Sequence, residues 1–369
     1  MAASDKKDFN VGVIGYGLSA KVFHIPFITI TPTFKLHSIL QRKPKAGDSA
    51  PEDYPSLQHF TDLDTFLGDS SLDVVVLSTP PQTHFSFAKA ALSAGKHVFV
   101  EKPFVPTSAE ANDMIALAEK EGRQICVYQN RRWDSDFLTL RKLIADDKLG
   151  RILEFETHFD RYRADKPTNW KGELSMKDGG SALYDLGTHL TDQVYTLFGL
   201  PKGVFAKLVS QRDGKVMGPD EPDLEPDSVN MQLFYDEGLI VHVRIAVMSV
   251  ETRQPRFWVR GTKGSYHKFG LDTQEPQLKA GMKTSDPEFG LDAPEDHGML
   301  ISLGADGKFS ETSCPNDKPV TYKKIYELFG EALSGNGSVP VPASEARDVL
   351  RILEAARESA LTRREVALS

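Results

Sequence analysis

At 369 residues the chain is long enough for two or three domains, and a composition 40% hydrophobic and 26% charged excludes wholesale disorder, a collagen-like chain and a coiled coil. A net charge of −8 with no Lys/Arg block argues against a nucleic-acid partner, since neutralising phosphates requires a concentrated basic surface. No apolar run approaches the ~20 residues of a membrane span, Cys126 and Cys314 are the only cysteines, and Met1–Lys7 lacks the apolar core of a secretion signal. The expectation is a soluble cytoplasmic protein with no membrane contact.

From Asn10 onward, strand-like and helix-like segments alternate, the pattern of a parallel sheet with crossover helices. Strands are predicted at 10–14, 35–40, 72–77, 97–100 and 124–128, with helices at 83–94 and 108–121 closed by Gly95 and Gly122. Pro26 interrupts the first helix and is expected to begin a second helical segment. Beyond about residue 129 the strands lengthen: 152–159, 203–211, 229–235, 239–248 and 256–261, with Asp236-Glu-Gly238 turning the third into the fourth. These form an antiparallel or mixed sheet in a second domain. Residues 183–197 read as one amphipathic helix, 219–226 as an acidic loop, 272–320 as rich in turns and 343–360 as a terminal helix.

The glycines after the first strand carry the first chemical signal. Gly15-Tyr16-Gly17-Leu18-Ser19-Ala20 matches the dinucleotide-binding pattern, in which Gly15 makes a tight turn, Gly17 admits a pyrophosphate and Ala20 allows close helix packing. At the end of the second strand stand Gln41, Arg42 and Lys43, where an NAD enzyme usually has an acid for the ribose hydroxyl. The absent acid and the two cations favour NADP over NAD.

Glu101-Lys102-Pro103 follows another strand, at the edge where such sheets bind ligands, so Lys102 can stabilise developing oxyanion charge or simply pair with Glu101. On the helix at 183–197, Leu183, Leu186, Leu190, Val194 and Leu197 share one stripe, leaving Asp185, His189 and Asp192 on another. A carboxylate one turn from an imidazole orients it, and histidine suits proton exchange with a hydroxyl near neutral pH. Gly187 between them suggests close approach by another group. Asn130, Arg131, Trp133, Tyr162 and Trp170 combine planar donors and aromatic surfaces suited to a polyol, although Trp133 and Trp170 equally fit domain packing. His24 reads as a packing histidine, and no cluster has the spacing of a metal site.

Together these residues resemble the Gfo/Idh/MocA oxidoreductases. The match runs through Gly15-Tyr-Gly17, Ser78-Thr-Pro-Pro-Gln-Thr-His84, Glu101-Lys102-Pro103 and Gly179-Gly-Ser-Ala-Leu-Tyr-Asp185-Leu-Gly-Thr-His189-Leu-Thr-Asp192. Lys21-Val-Phe-His24, Asn130-Arg-Arg-Trp-Asp-Ser-Asp136 and the stretch 270–281 look like the branch containing NADP-dependent scyllo-inositol dehydrogenases. The resemblance implies an α/β fold: an N-terminal Rossmann domain with a doubly wound parallel sheet (8–128), then a C-terminal α/β domain (129–369) with a large, open, mostly antiparallel sheet.

It implies catalytic roles for Lys102, Asp185 and His189, with His189 taking the hydroxyl proton, Asp185 supporting it or binding a hydroxyl, and Lys102 binding and polarising the reacting oxygen. Ser78, Thr79, Pro80, Pro81, His84, Glu101 and Gln129 join the glycine loop at the cofactor. The expected enzyme is an NADP-dependent dehydrogenase of a cyclic polyol or sugar. A non-catalytic dinucleotide-sensing regulator, like the fungal galactose repressor, is the rival. A homo-oligomer, dimer or tetramer, is expected through the second sheet. There Leu239, Val241, Val243, Ile245 and Val247 form an apolar face, and Ile240, His242, Arg244, Ala246 and Met248 a mixed one.

Overall fold

The computed structural model describes residues 8–368, so Met1–Lys7, on which the reading of a missing secretion signal rests, and Ser369 lie outside the described residues. The first sheet contains β1 (Phe9–Ile14), β2 (Phe34–Leu40), β3 (Gln58–Phe60), β4 (Val74–Leu77), β5 (His97–Val100) and β6 (Ile125–Val127). Their order is β3-β2-β1-β4-β5-β6, every pairing is parallel, and crossover helices include His84–Ser93 and Ser108–Lys120. Val74, Val75, Val76 and Leu77 are all buried, as a strand covered on both faces requires. Ahead of the first α-helix, Ala20–His24 forms a π-helical turn, and Pro26 stands at the start of the helix Ile25–Ile30 that follows.

The second sheet has ten strands: β7 (Ile152–Asp160), β8 (Gly203–Ser210), β9 (Lys215–Val216), β10 (Ser228–Phe234), β11 (Ile240–Ala246), β12 (Pro255–Gly261), β13 (Gly264–Phe269), β14 (Gly298–Leu303), β15 (Phe309–Cys314) and β16 (Val366–Ala367). Only β7 and β11 pair in parallel; their neighbours run antiparallel. Val241, Val243, Ile245 and Val247 are buried, with Ile245 against the helix Gly187–Phe198, while Ile240 and Trp258 on other positions of the sheet are exposed.

The chain divides into two compact units, and each takes back late segments. Leu278–Thr284 and Tyr322–Arg347 belong to the first unit with Met1–Asn130, whereas Arg131–Gln277, Ser285–Thr321 and Asp348–Ser369 form the second. A single boundary near residue 129 does not anticipate this return. Its cause is aromatic packing: Tyr326 stacks on Phe99 and Phe27, and Phe329 meets Phe99 and Phe34. No helix among the described residues is long and apolar enough to cross a membrane, and none of their acidic, histidine and cysteine groupings is fit to hold a metal ion.

Candidate functional site

In the first unit, strand ends finish in register. Gly15 N–H donates to Leu40 O at 3.0 Å, Ser78 N–H to Ile14 O at 2.9 Å, Glu101 N–H to Leu77 O at 3.1 Å and Tyr128 N–H to Val100 O at 2.7 Å. The segments 15–19, 41–43, 78–81 and 101–102 and residue Gln129 therefore leave the same edge of the sheet, where open α/β sheets take their ligands. Gly15 has φ of 97°, and a Cβ there would lie 2.3 Å from Ser78 O, so only glycine fits this turn. Beside Gly17, by contrast, no atom lies within 4 Å of where a Cβ would stand, which leaves the loop open to a close ligand.

A buried chain of polar contacts runs inward from this edge. Glu101 Oε1 accepts from the Ser19 hydroxyl and lies 3.1 Å from His24 Nε2; Glu101 Oε2 accepts from Lys102 N–H at 3.0 Å. His24 Nδ1 is 2.7 Å from the Tyr326 hydroxyl. Burial alone would raise the Glu101 pKa, but the hydrogen bond and charge of His24, with Ser19 and Lys102, outweigh it and hold the carboxyl at about 2. Glu101 thus ties the glycine loop to the backbone of Lys102. His84 is a second brace: its ring nitrogens lie 2.9 Å from Pro103 O and 2.8 Å from Thr79 O, joining the 78–84 and 101–103 motifs, and burial lowers its pKa. Pro80 precedes and Pro81 begins the short turn between Thr79 and His84.

At the end of β2, Arg42 and Lys43 are exposed and neither makes an ion pair among the described residues. Gln41 instead shapes the following loop, donating to Asp48 O and accepting from Ala50 N–H, both at 2.8 Å. Two acids absent from the 41–43 reading lie nearby: Asp48 pairs with Lys21 at 2.7 Å, and Asp53 accepts from the Tyr16 hydroxyl at 2.5 Å. Burial and then Asp53 raise the Tyr16 pKa.

The second unit holds the other candidates. Residues 183–197 are not one helix: Ser181–Asp185 and Gly187–Phe198 meet at Leu186, and His189 N–H donates to Leu186 O at 3.2 Å. His189 and Asp192 are buried, so they do not lie on an ordinary solvated helix face. Asp192 receives Arg132 Nε at 2.8 Å and Nη2 at 2.7 Å, a bidentate pair. Gly187 has only ordinary contacts, its Cβ position standing 3.6 Å from Ile245, Leu183 and Leu353, so no close approach explains it.

The His189 ring stacks with Phe159 at 6.5 Å and 24°, and the guanidinium carbons of Arg131 and Arg161 lie 5.0 Å and 5.8 Å from the Phe159 ring centre. Beneath them Arg256, wholly buried, donates to Asp136 at 2.8 Å, Gln193 at 2.8 Å and Thr157 at 3.1 Å. Gln193, one turn beyond His189, donates in turn to Arg131 O at 2.7 Å. Arg131 itself pairs with Asp134 and Glu275. Burial, then Asp272, pushes Asp134 well up; burial, then Asp136, raises Asp272 to about 6.

The profile described as "Oxidoreductase family, NAD-binding Rossmann fold" matches residues 9–129, and that described as "Oxidoreductase family, C-terminal alpha/beta domain" matches residues 141–368. The chain belongs to the Gfo/Idh/MocA oxidoreductases. An uncharacterised oxidoreductase of Schizosaccharomyces pombe is 39% identical over 94% of this chain and 96% of its own. The scyllo-inositol 2-dehydrogenase (NADP(+)) IolW of Bacillus subtilis is 33% identical over 97% of this chain and 95% of its own. A crystal structure of an oxidoreductase from Bacillus cereus superposes with a TM-score of 0.86 at 30% identity, covering 98% of this chain and 99% of that one.

As in other Gfo/Idh/MocA oxidoreductases, the Rossmann domain binds NAD(P), and the first unit of this member fits such a group. Besides the open space at Gly17, Ser78 Oγ and Gln129 Oε1 are buried with no hydrogen-bond partner among the described residues. Leu18 on the same loop is 61% exposed. The polyol candidates do not gather alike: Asn130, Arg131 and Trp133 are buried, while Tyr162 and Trp170 are exposed. Sequence reasoning missed Phe159, Arg161, Gln193, Arg256 and Glu275; no local pattern sets Arg256 apart, since Arg260 stands in the same strand.

Proposed function

We propose that the chain is an NADP-dependent dehydrogenase or reductase. It interconverts a secondary alcohol of a cyclic polyol or sugar with its ketone, or a lactol with its lactone, in the reducing cytoplasm. The observation that carries this reading is the retention of Lys102, Asp185 and His189 together, in positions matching the family's catalytic motifs. A dinucleotide-sensing regulator needs the cofactor residues but not all three of these. The inositol dehydrogenase relative supports both cofactor and substrate class.

When bound, the nicotinamide accepts or supplies the hydride. Gly15, Tyr16, Gly17, Leu18, Ser19 and Ala20 hold the pyrophosphate segment, and Ser78, Thr79, Pro80, Pro81, His84, Glu101 and Gln129 shape the remaining surface. In the oxidative direction an imidazole nitrogen of His189 takes the hydroxyl proton, Asp185 steadies the resulting charge, and Lys102 Nζ binds the oxygen as its bond to carbon gains double-bond character. Asn130, Arg131, Trp133, Tyr162 and Trp170 belong to the wider substrate environment.

Arg42 is assigned the 2′-phosphate of NADP, which a guanidinium holds through charge-assisted bidentate bonds worth ~1.5–3 kcal/mol when partly shielded, with Lys43 adding a less directional charge. Arg42→Ala is expected to weaken NADP binding roughly ten- to a hundredfold and NAD binding little. Calorimetric titration of both cofactors checks this; equal losses, or tighter NAD binding by the wild type, contradict it.

The reading also includes a homo-oligomer, a dimer or tetramer, through the open face of the second sheet, where Ile240 and Trp258 are exposed and Glu156 already pairs with Arg244 at 2.9 Å. Light scattering at micromolar concentration is expected to give a multiple of the chain mass. A monomer refutes the interface.

A further inference from the structure

Arg161 is the first residue after β7, and its backbone is pinned on both sides: its N–H donates to Ala246 O at 2.9 Å and its carbonyl accepts from Ser249 N–H at 3.2 Å. The side chain turns onto Phe159, whose ring also stacks with His189. Other arginines of this region are neutralised within the protein: Arg131 by Asp134 and Glu275, Arg132 by Asp192, Arg256 by Asp136. Arg161 has no ion pair among the described residues, and its Nε is buried without a hydrogen-bond partner.

A guanidinium does not shed its charge near neutral pH, so a half-buried one without a counterion is an arrangement that a bound anion relieves. Burial, then Arg163, lowers its proton affinity; Asp185 and Glu275 offset this only at a distance, and Glu275 is already engaged by Arg131. A neutral hydroxyl would fill a hydrogen-bonding position but leave the charge uncompensated. The planar donor fork matches a carboxylate, which takes two parallel N–H bonds and supplies the missing charge.

We propose that Arg161 is a specificity-determining residue that binds a carboxylate of the substrate, which is therefore an acidic sugar or polyol of the uronate or aldonate class. This rests on the reading that His189 and Asp185 act at the reacting carbinol, and it adds the group by which the substrate is oriented there.

The probes are D-glucuronate and D-glucose, which differ at the carboxylate carbon, with glucose 6-phosphate as a third arm for an anion of different shape. Initial rates with NADP+ are measured on the full chain, on Arg161→Gln and on Arg161→Lys. Binding of the same compounds is measured by calorimetry on NADP+-loaded His189→Ala protein with and without Arg161→Gln. The wild type is expected to favour glucuronate over glucose at least tenfold in kcat/KM. Arg161→Gln should abolish that ratio through KM, Arg161→Lys should restore part of it, and the calorimetric preference should vanish with Arg161.

A wild-type ratio near one, a ratio unmoved by Arg161→Gln, a preference for the phosphate, or no binding of either sugar overturns the proposal. The two readings separate cleanly. If the carboxylate preference tracks Arg161 while His189→Ala keeps full turnover, the catalytic assignment fails and Arg161 stands; if turnover needs His189 but the ratio ignores Arg161, the reverse holds.

Discussion

Replacing His189 or Lys102 with alanine is expected to lower kcat/KM by roughly 10²–10⁴-fold while NADP still binds. In the proposed mechanism the two residues meet different demands of one reaction. His189 lies buried against Phe159, where an imidazole can exchange a proton with a substrate hydroxyl away from bulk water. Lys102 follows β5 with only Glu101 between, its backbone N–H donating to Glu101, and its proposed role is to stabilise negative charge developing on oxygen. Neither is required for the pyrophosphate contacts assigned to the glycine loop. If both serve the proposed transition state, the double variant should fall less than the product of the single losses. Steady-state kinetics beside cofactor titration decide the matter, and wild-type kcat in either variant removes that residue from the mechanism.

Asp136→Ala is expected to destabilise the second unit by about 3–5 kcal/mol, because it strands the buried guanidinium of Arg256. Arg256 then retains only neutral hydrogen-bond partners, Thr157, Gln193 and the His158 carbonyl, for a charge with no access to water. At roughly 2–4 °C per kcal/mol the melting transition of that unit should fall by roughly 6–20 °C. Replacing both partners with apolar residues, Arg256→Met with Asp136→Leu, removes the charge as well as its counterion and should cost far less. Calorimetry on the single and double variants checks the ordering. A single variant as stable as the wild type means the pair does not hold this core.

The first sheet is legible chiefly through its central strands, covered on both faces and so appearing as apolar runs, as in Val74–Leu77, that end at a glycine or a polar motif. β3 is a three-residue edge strand, too short to show a pattern. β15 escapes for the opposite reason: Phe309–Cys314 is exposed along nearly all its length, so no alternation of burial is imposed on Phe-Ser-Glu-Thr-Ser-Cys. The break at Leu186 is invisible because Leu183, Leu186, Leu190 and Val194 keep a helical period straight through it.

Among the candidate site residues, the glycine loop, Lys102 and the Asp185–His189 segment stand out because their residue types are tied to local motifs. The ionic core of the second unit does not, since Arg256 finds Asp136, Gln193 and Thr157 at separations of 63 to 120 residues. Asn130-Arg-Arg-Trp-Asp-Ser-Asp136 is recognisable as a motif, yet its charged residues mostly grip the helix and strands around His189. Local sequence pattern reports the chemistry of a motif, but pairing across the fold decides which charges remain for a ligand.

The proposed transfer of a hydride between NADP and a hydroxyl-bearing carbon of a sugar or polyol is tested most directly by following NADPH absorbance in purified wild-type protein across a panel of inositols, aldoses and sugar acids, with NAD in parallel. Sustained reduction of NADP+ by at least one member, faster than with NAD+ and lost in His189→Ala, is the predicted result. Tight NADP binding with no hydride transfer to or from any member of the panel, in either direction, would contradict it and favour a cofactor-sensing role.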